Sequence, residues 1–335
     1  MSVFTFGETV LALRGSGPLR LGGTLEVSVA GAESNVAVGL ARLGHEVRWA
    51  GAVGDDEAGE LVLRTLRAEG VDVSGASRDD GGAPTGLTLT AAGPMLTAAG
   101  LPEQTRGGHY YRAGSAGSRL KACTVERAFT AAPPRILYLT GITPALSRTA
   151  RSAATLALRL AAEHSALVCL DVNHRARLWG AEEAASVLRE WAPSVDVLIA
   201  TQDELALCLP AGGADDPGVR AKELVRLGIG EVVVEPGADG ADGAYGSYGA
   251  TAYGEDGALV HAPARPVRAV DPAGAGDAFA AGYLSALLDG LDTAGRLDRA
   301  VAAGAFAAAP RGDREGAPTR SELGLPAARA GAAPH

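Results

Sequence analysis

A chain of 335 residues with 47% hydrophobic and 21% charged side chains can bury a full α/β core, in one large domain or two smaller ones. Its formal charge of −9 and pI near 5.2 argue against a nucleic-acid surface or an anionic membrane as partner, because both need clustered lysine and arginine. No apolar stretch reaches the roughly 18 residues of a membrane span, and Met1-Ser-Val-Phe-Thr-Phe-Gly-Glu8 lacks a basic region ahead of an apolar run, so a cytoplasmic chain is expected.

Short apolar runs alternate with longer helical patterns, which indicates a parallel sheet with crossover helices. Val3–Phe6 reads as the first strand, and Glu8 closes it as either a site acid or a solvated loop carboxylate. Leu11–Ala30 breaks the alternation, and within it Thr24–Val29 alternates as a strand does. Helical spacing follows over Asn35–Leu43 and Glu57–Ala68. Gly86–Arg112, rich in Gly, Thr and Pro, is the second break; its Gly86–Thr90 alternates too, so the two breaks are expected to pair into a small separate sheet. Strands are then expected at Ile136–Leu139, Leu167–Asp171, Val197–Ile199 and Glu231–Val234, with helices at Thr149–Glu163, Glu182–Trp191 and Lys222–Leu227. Ligands in such sheets bind at the carboxyl ends of the strands. Cys123, Cys169 and Cys208 are scattered among Leu, Val and Ala and read as reduced, mostly buried thiols. Residues 324–335, with Pro326 and several alanines, read as a frayed tail.

The segment Asp271-Pro-Ala-Gly-Ala-Gly-Asp277-Ala-Phe279 sets small residues against a carboxylate and an apolar helical run. Gly274, Ala275 and Gly276 leave backbone amides bare at the positive end of a helix dipole, where a phosphoryl group can be held during transfer. A carboxylate beside that anion is costly unless it accepts a proton, so Asp277 reads as a general base for a substrate hydroxyl. The plainer alternative is a capped helix with Asp277 as its N-terminal cap. A dinucleotide fingerprint fails because Phe279 stands where a third glycine is needed, and the chain has no Gly-Lys pair for a P-loop.

These residues resemble the C-terminal signature of the ribokinase-like (PfkB) sugar kinases, Asp-Thr/Pro-x-Gly-Ala-Gly-Asp-x-Phe. The family's N-terminal hallmark, a glycine and an asparagine ahead of an alanine-rich helix, has its likeness in Ala30-Gly31-Ala32-Glu33-Ser34-Asn35-Val36-Ala37. The resemblance implies a three-layer α/β/α domain over residues 1–323, with a mostly parallel central sheet and a small β lid from about 11–30 and 86–112. It also implies ATP as phosphoryl donor with Mg²⁺, and a lid that covers the sugar and joins subunits into a homo-oligomer.

Tyr110-Tyr111-Arg112-Ala113-Gly114-Ser115-Ala116-Gly117-Ser118, Gly141-Ile142-Thr143-Pro144, Asp171-Val172-Asn173-His174-Arg175 and Arg311-Gly312-Asp313-Arg314-Glu315-Gly316 together resemble the 2-keto-3-deoxygluconate kinase branch. An acceptor carboxylate wants an arginine fork, and Arg112 and Arg175 are the candidates; the plain reading of either is an exposed ion pair worth under about 1 kcal/mol. By the resemblance, Tyr110 covers the acceptor, Gly31 lets it approach the backbone, Asn35 holds hydroxyls and Asp313 anchors the far end. On the donor side, Glu204 of Thr201-Gln-Asp-Glu204 would orient water around Mg²⁺, and Gly237 and Gly240 would flank the nucleotide. The chain departs from its relatives at Thr88, His174, Thr201, Glu235 (where relatives carry Lys) and Val301. The implied reaction is ATP-dependent phosphorylation of the terminal hydroxyl of a keto-acid sugar. A kinase for a neutral sugar or nucleoside, and a sugar-acid binder with weakened kinase activity, are the alternatives.

Overall fold

The computed structural model describes residues 1–96, 102–235, 249–255, 257–267, 273–310 and 312–326. β1 (Val3–Phe6) and β2 (Val10–Gly15) open the chain, and β3 (Leu25–Ala30) returns antiparallel to β2 and delivers it to α1 (Ala32–Arg42). β4 (Val47–Ala50), β5 (Ala52–Val53), α2 (Glu57–Ala68) and β6 (Ser77–Arg78) precede the antiparallel pair β7 (Leu87–Leu96) and β8 (Pro102–Tyr111). The alternating half follows: α3 (Ala122–Ala131), β9 (Ile136–Thr140), α4 (Ile142–Leu146), α5 (Arg148–Glu163), β10 (Leu167–Asp171), α6 (Ala181–Trp191), β11 (Val197–Thr201), α7 (Pro217–Arg226) and β12 (Glu231–Glu235). β13 (Ala250–Gly254) and β14 (Leu259–Ala262) lead to the helix pair α8 (Ala275–Leu288) and α9 (Thr293–Ala307).

The central sheet has the order β14-β13-β12-β11-β10-β9-β1-β4, parallel from β12 to β4 and antiparallel at β13 and β14. Its strands are buried on both faces, which is why they read as continuous apolar runs. Successive side chains point to opposite layers. Phe4, Leu137, Val168 and Leu170 pack with α3, α5 and α6, whereas Val3, Ile136, Tyr138 and Ile199 pack with α1, α8 and α9. This is a ribokinase-like α/β fold. Among the described residues, no helix is long and apolar enough to cross a membrane. Cys169 and Cys208 are buried, and Cys123 on α3 is exposed.

The strands expected in the alternating half all form. The two breaks pair into a small separate sheet as expected, in the order β3-β2-β7-β8, with the contact between them made by β2 and β7. The expected strands at 24–29 and 86–90 share that sheet without touching. β2 lies between them, antiparallel to β3 and parallel to β7, with Leu11 opposite both Val29 and Leu87. β2 escaped notice because Val10-Leu-Ala-Leu shows no polar alternation. β4, Val47-Arg-Trp-Ala at the sheet edge, carries one polar residue and is too short to display a period. α7 starts earlier than its apolar spacing suggests, since Asp216 caps it by accepting from Val219 N at 2.8 Å and Pro217 opens the first turn.

Candidate active site

The carboxyl ends of β1, β9, β10, β11 and β12 lie on one side of the sheet, and α1 and α8 bring their N-terminal turns to it. α1 begins hard against the β1–β2 junction: a Cβ on Gly31 would lie 2.4 Å from the Glu8 carbonyl oxygen, so no other residue fits there unshifted. Asn35 stands on the first turn, its amide donating to Gly31 O at 2.7 Å. The neighbouring Glu33 is buried and accepts from Thr140 Oγ1 and Thr143 Oγ1 at 2.6 Å each, tying α1 to the ends of β9 and α4; burial pushes its carboxyl up.

α8 begins at Gly274, which has a left-handed φ of 75°. A Cβ there would fall 1.7 Å from the Asp313 carbonyl oxygen. Conformation and space both demand glycine. Gly274 is the N-cap and Asp277 lies three residues into the helix, so Asp277 is not the cap. Asp277 instead faces α1, where Asn35 Nδ2 donates to its Oδ2 at 2.7 Å. That bond fixes the amide orientation and leaves Asn35 Oδ1 buried without a protein partner among the described residues. The Asp277 side chain is half-buried, and desolvation pushes it up to about 7; the Asp313 and Glu33 charges add to the rise, while the Asn35 hydrogen bond and the Arg175 charge oppose it. A base near neutrality beside bare helix-start amides suits proton removal from a hydroxyl.

Three further acids lie at neighbouring strand ends. Asp171 is 8% exposed and accepts from Tyr138 Oη at 3.1 Å and Asn173 Nδ2 at 3.2 Å. Burial, then the Glu204 and Asp277 charges, push it up to about 8. Glu204 accepts from His174 N at 2.6 Å and Thr201 N at 2.9 Å, clasping the loops after β10 and β11. Glu235 is pushed up by burial and by Asp171, Glu204 and Asp277.

The model of the pfkB family carbohydrate kinases matches residues 2–320. This chain belongs to that family. It is 33% identical over 335 residues to the 2-dehydro-3-deoxygluconokinase of Bacillus subtilis (strain 168), covering 96% of this chain and 94% of that one. The enzyme of the same name from Thermoproteus tenax is 34% identical, covering 96% and 93%. The crystal structure of 2-dehydro-3-deoxygluconokinase from Thermotoga maritima superposes with a TM-score of 0.82 at 27% identity, over 93% of this chain and 94% of that one.

In this ATP-dependent carbohydrate kinase, the two family signatures meet through the Asn35–Asp277 bond. Asp313 lies behind Gly274, close to Asp277, and pairs with Arg14 at 3.2 Å. Arg175 is exposed, and its charge pulls Asp171 and Asp277 down. Arg112 donates through Nε to Glu8 Oε2 at 2.6 Å, and its guanidinium lies 5.0 Å from the Tyr110 ring centroid. Tyr110 is 55% exposed and sits opposite Thr88 in the β7–β8 register. Glu8 is therefore no solvated loop acid: its side chain is wholly buried. Ala275 is buried and Gly276 exposed at the helix start. Val301 is buried in the core beside α8. Gly237 and Gly240 lie outside the described residues. The charge reversal expected at Glu235 is muted, since burial and three acids favour its protonated form. Asp171 was not singled out as a site residue, although a strand-ending acid two residues before Asn173 was a usable signal.

Proposed function

We propose that this kinase transfers the γ-phosphoryl group of ATP to the terminal hydroxyl of 2-keto-3-deoxygluconate or a closely related keto-acid sugar. The observation that carries the reading is Asp277, raised to about 7 and held by Asn35 at the N-terminal turn of α8. Asp277 takes the hydroxyl proton, the Gly274–Gly276 turn stabilises the charge in transfer, and Asn35 Oδ1 accepts from an acceptor hydroxyl. Similarity to the Bacillus subtilis and Thermoproteus tenax enzymes over nearly the whole chain supports the acceptor class. Arg112 and Arg175 supply the positive charge that an acceptor carboxylate wants. Gly237 and Gly240 would flank the nucleotide.

Mg²⁺ suits the donor side, because the Glu204 charge raises the carboxyls of Asp171 and Glu235, a repulsion that a cation would relieve. Bound with ATP, it would neutralise the polyphosphate. The sheet β3-β2-β7-β8 is read as the lid of a single kinase domain over residues 1–323, with 324–335 as a tail. Its exposed Leu25 and Val27 support a homo-oligomer through that sheet, which sedimentation velocity tests. A cytoplasmic location accords with this chemistry.

Acceptor-dependent ADP release with Mg-ATP tests the function. The keto acid should be turned over with a kcat/KM at least about tenfold above fructose or ribose, the worth of one charge-assisted contact. Equal rates on fructose would remove the keto-acid reading, and acceptor binding without ADP release would favour a binding protein.

A further inference from the structure

The loop after β8 is built around a carboxylate that needs a reason to be there. Glu8 sits at the junction where the chain leaves β1 for β2, with its side chain 0% exposed. Both oxygens are engaged: Oε2 by Arg112 Nε at 2.6 Å, and Oε1 by the Ser115 hydroxyl at 2.5 Å. Ser115 is itself fixed by Arg112 O and Ser118 N. Glycines wall the carboxylate in. A Cβ on Gly86 would lie 2.8 Å from Oε1, and one on Gly117 would lie 2.4 Å from Cγ. No room remains for Glu8 to touch an acceptor.

Burying such an ion costs more than an exposed loop acid would, so its partner explains it. A guanidinium is planar, and pinning Nε sets the direction of the whole fork. With Nε engaged, side-on pairing is blocked, and Arg112 retains the end-on pair of Nη groups, which have no protein acceptor among the described residues. The Tyr110 ring supports the guanidinium at 5.0 Å.

We infer that Glu8 is a positioning residue for acceptor recognition: its buried carboxylate, steadied by Ser115, aims the two Nη groups of Arg112 at the acceptor's carboxylate. The inference rests on the keto-acid reading above. It also gives the Tyr110–Ser118 motif a second purpose, as the shell that holds Glu8.

The test is a double-mutant cycle read in KM and kcat, using E8Q, R112A and the double variant. E8Q keeps the shape and removes the charge. It should raise KM for 2-keto-3-deoxygluconate about tenfold, the scale of one charged contact, with kcat within about threefold and KM for ATP unchanged. In the R112A background E8Q should add less than about twofold, because Glu8 then has nothing to aim. Equal KM increases in both backgrounds, or parental KM in E8Q, would overturn the inference. Should E8Q fail to fold, Ser115→Ala loosens the same carboxylate, and its KM effect must likewise vanish without Arg112. If the parent enzyme phosphorylates no keto acid, the functional reading fails and takes this one with it. If R112A alone raises KM, the acceptor reading stands and only the assignment of Glu8 fails.

Discussion

Asp277 is where local sequence and distant fold meet. Its motif was legible because a helix start needs contiguous residues of fixed type, and small residues ahead of an acid leave few other readings. Its contact with Asn35, 242 positions away, was not, because two separate first turns must converge to make it. The same limit left Glu8 between two readings and hid Asp171, since the meaning of both comes from burial and partners supplied by other elements. Asp277→Asn should lower kcat by about a hundredfold or more while leaving acceptor binding nearly intact, since the amide cannot take a proton. The acid limb gives the sign independently. A base whose carboxyl is raised to about 7 in the free enzyme must be ionised to work, so kcat/KM should fall as pH drops through that value. A flat profile from pH 8 to 6, or an active Asn variant, would take Asp277 out of the chemistry.

The start of α8 shows how an element's geometry can be separated from its charge. Gly274 and Gly276 look equivalent in the sequence, yet they do different things. Gly274 has φ of 75° and a carbonyl 1.7 Å from any Cβ, whereas a Cβ on Gly276 meets nothing within 4 Å. Gly274→Ala should therefore cost at least about 2 kcal/mol, combining left-handed strain with a displaced Asp313 backbone. Gly276→Ala should leave stability within about 0.5 kcal/mol, as surface changes usually do, and still lower kcat, because the added methyl occupies the space proposed for the phosphoryl group. Urea unfolding with steady-state kinetics on both variants checks the pair; full turnover in Gly276→Ala would argue that the phosphoryl group lies elsewhere. The elements themselves were legible where their apolar runs were long. They were not where a strand's partner lay far off in sequence, as with β2 between β3 and β7.

Across the whole molecule, the sheet order β12-β11-β10 gathers acids that the sequence keeps well apart. Asp171 is raised to about 8, Asp277 to about 7, and Glu235 well above its usual range. The folded protein thus holds protons near neutrality that the unfolded chain has already released, so stability must fall as pH rises through this window. Below pH 6.5 one group acts in the opposite sense. Burial lowers His45 to about 4, and the unfolded imidazole binds a proton that the folded one refuses. One imidazole offsets one carboxyl at most, so the ligand-free enzyme should lose Tm as pH rises from about 5 to 8, with about 1–2 kcal/mol lost from Asp171 alone between pH 6.5 and 8. Glu235→Gln should make the alkaline decline shallower by removing one of the coupled acids. Mg-ATP should do the same if its cation relieves the group, beyond the uniform rise that any ligand produces. Thermal melts from pH 5 to 9 on the parent and the Gln variant, with and without Mg-ATP, decide the matter. A Tm that climbs steadily from pH 6.5 to 8 in the ligand-free parent would show these carboxyls to be ionised and well solvated, and the charge coupling across the strand ends would have to be abandoned.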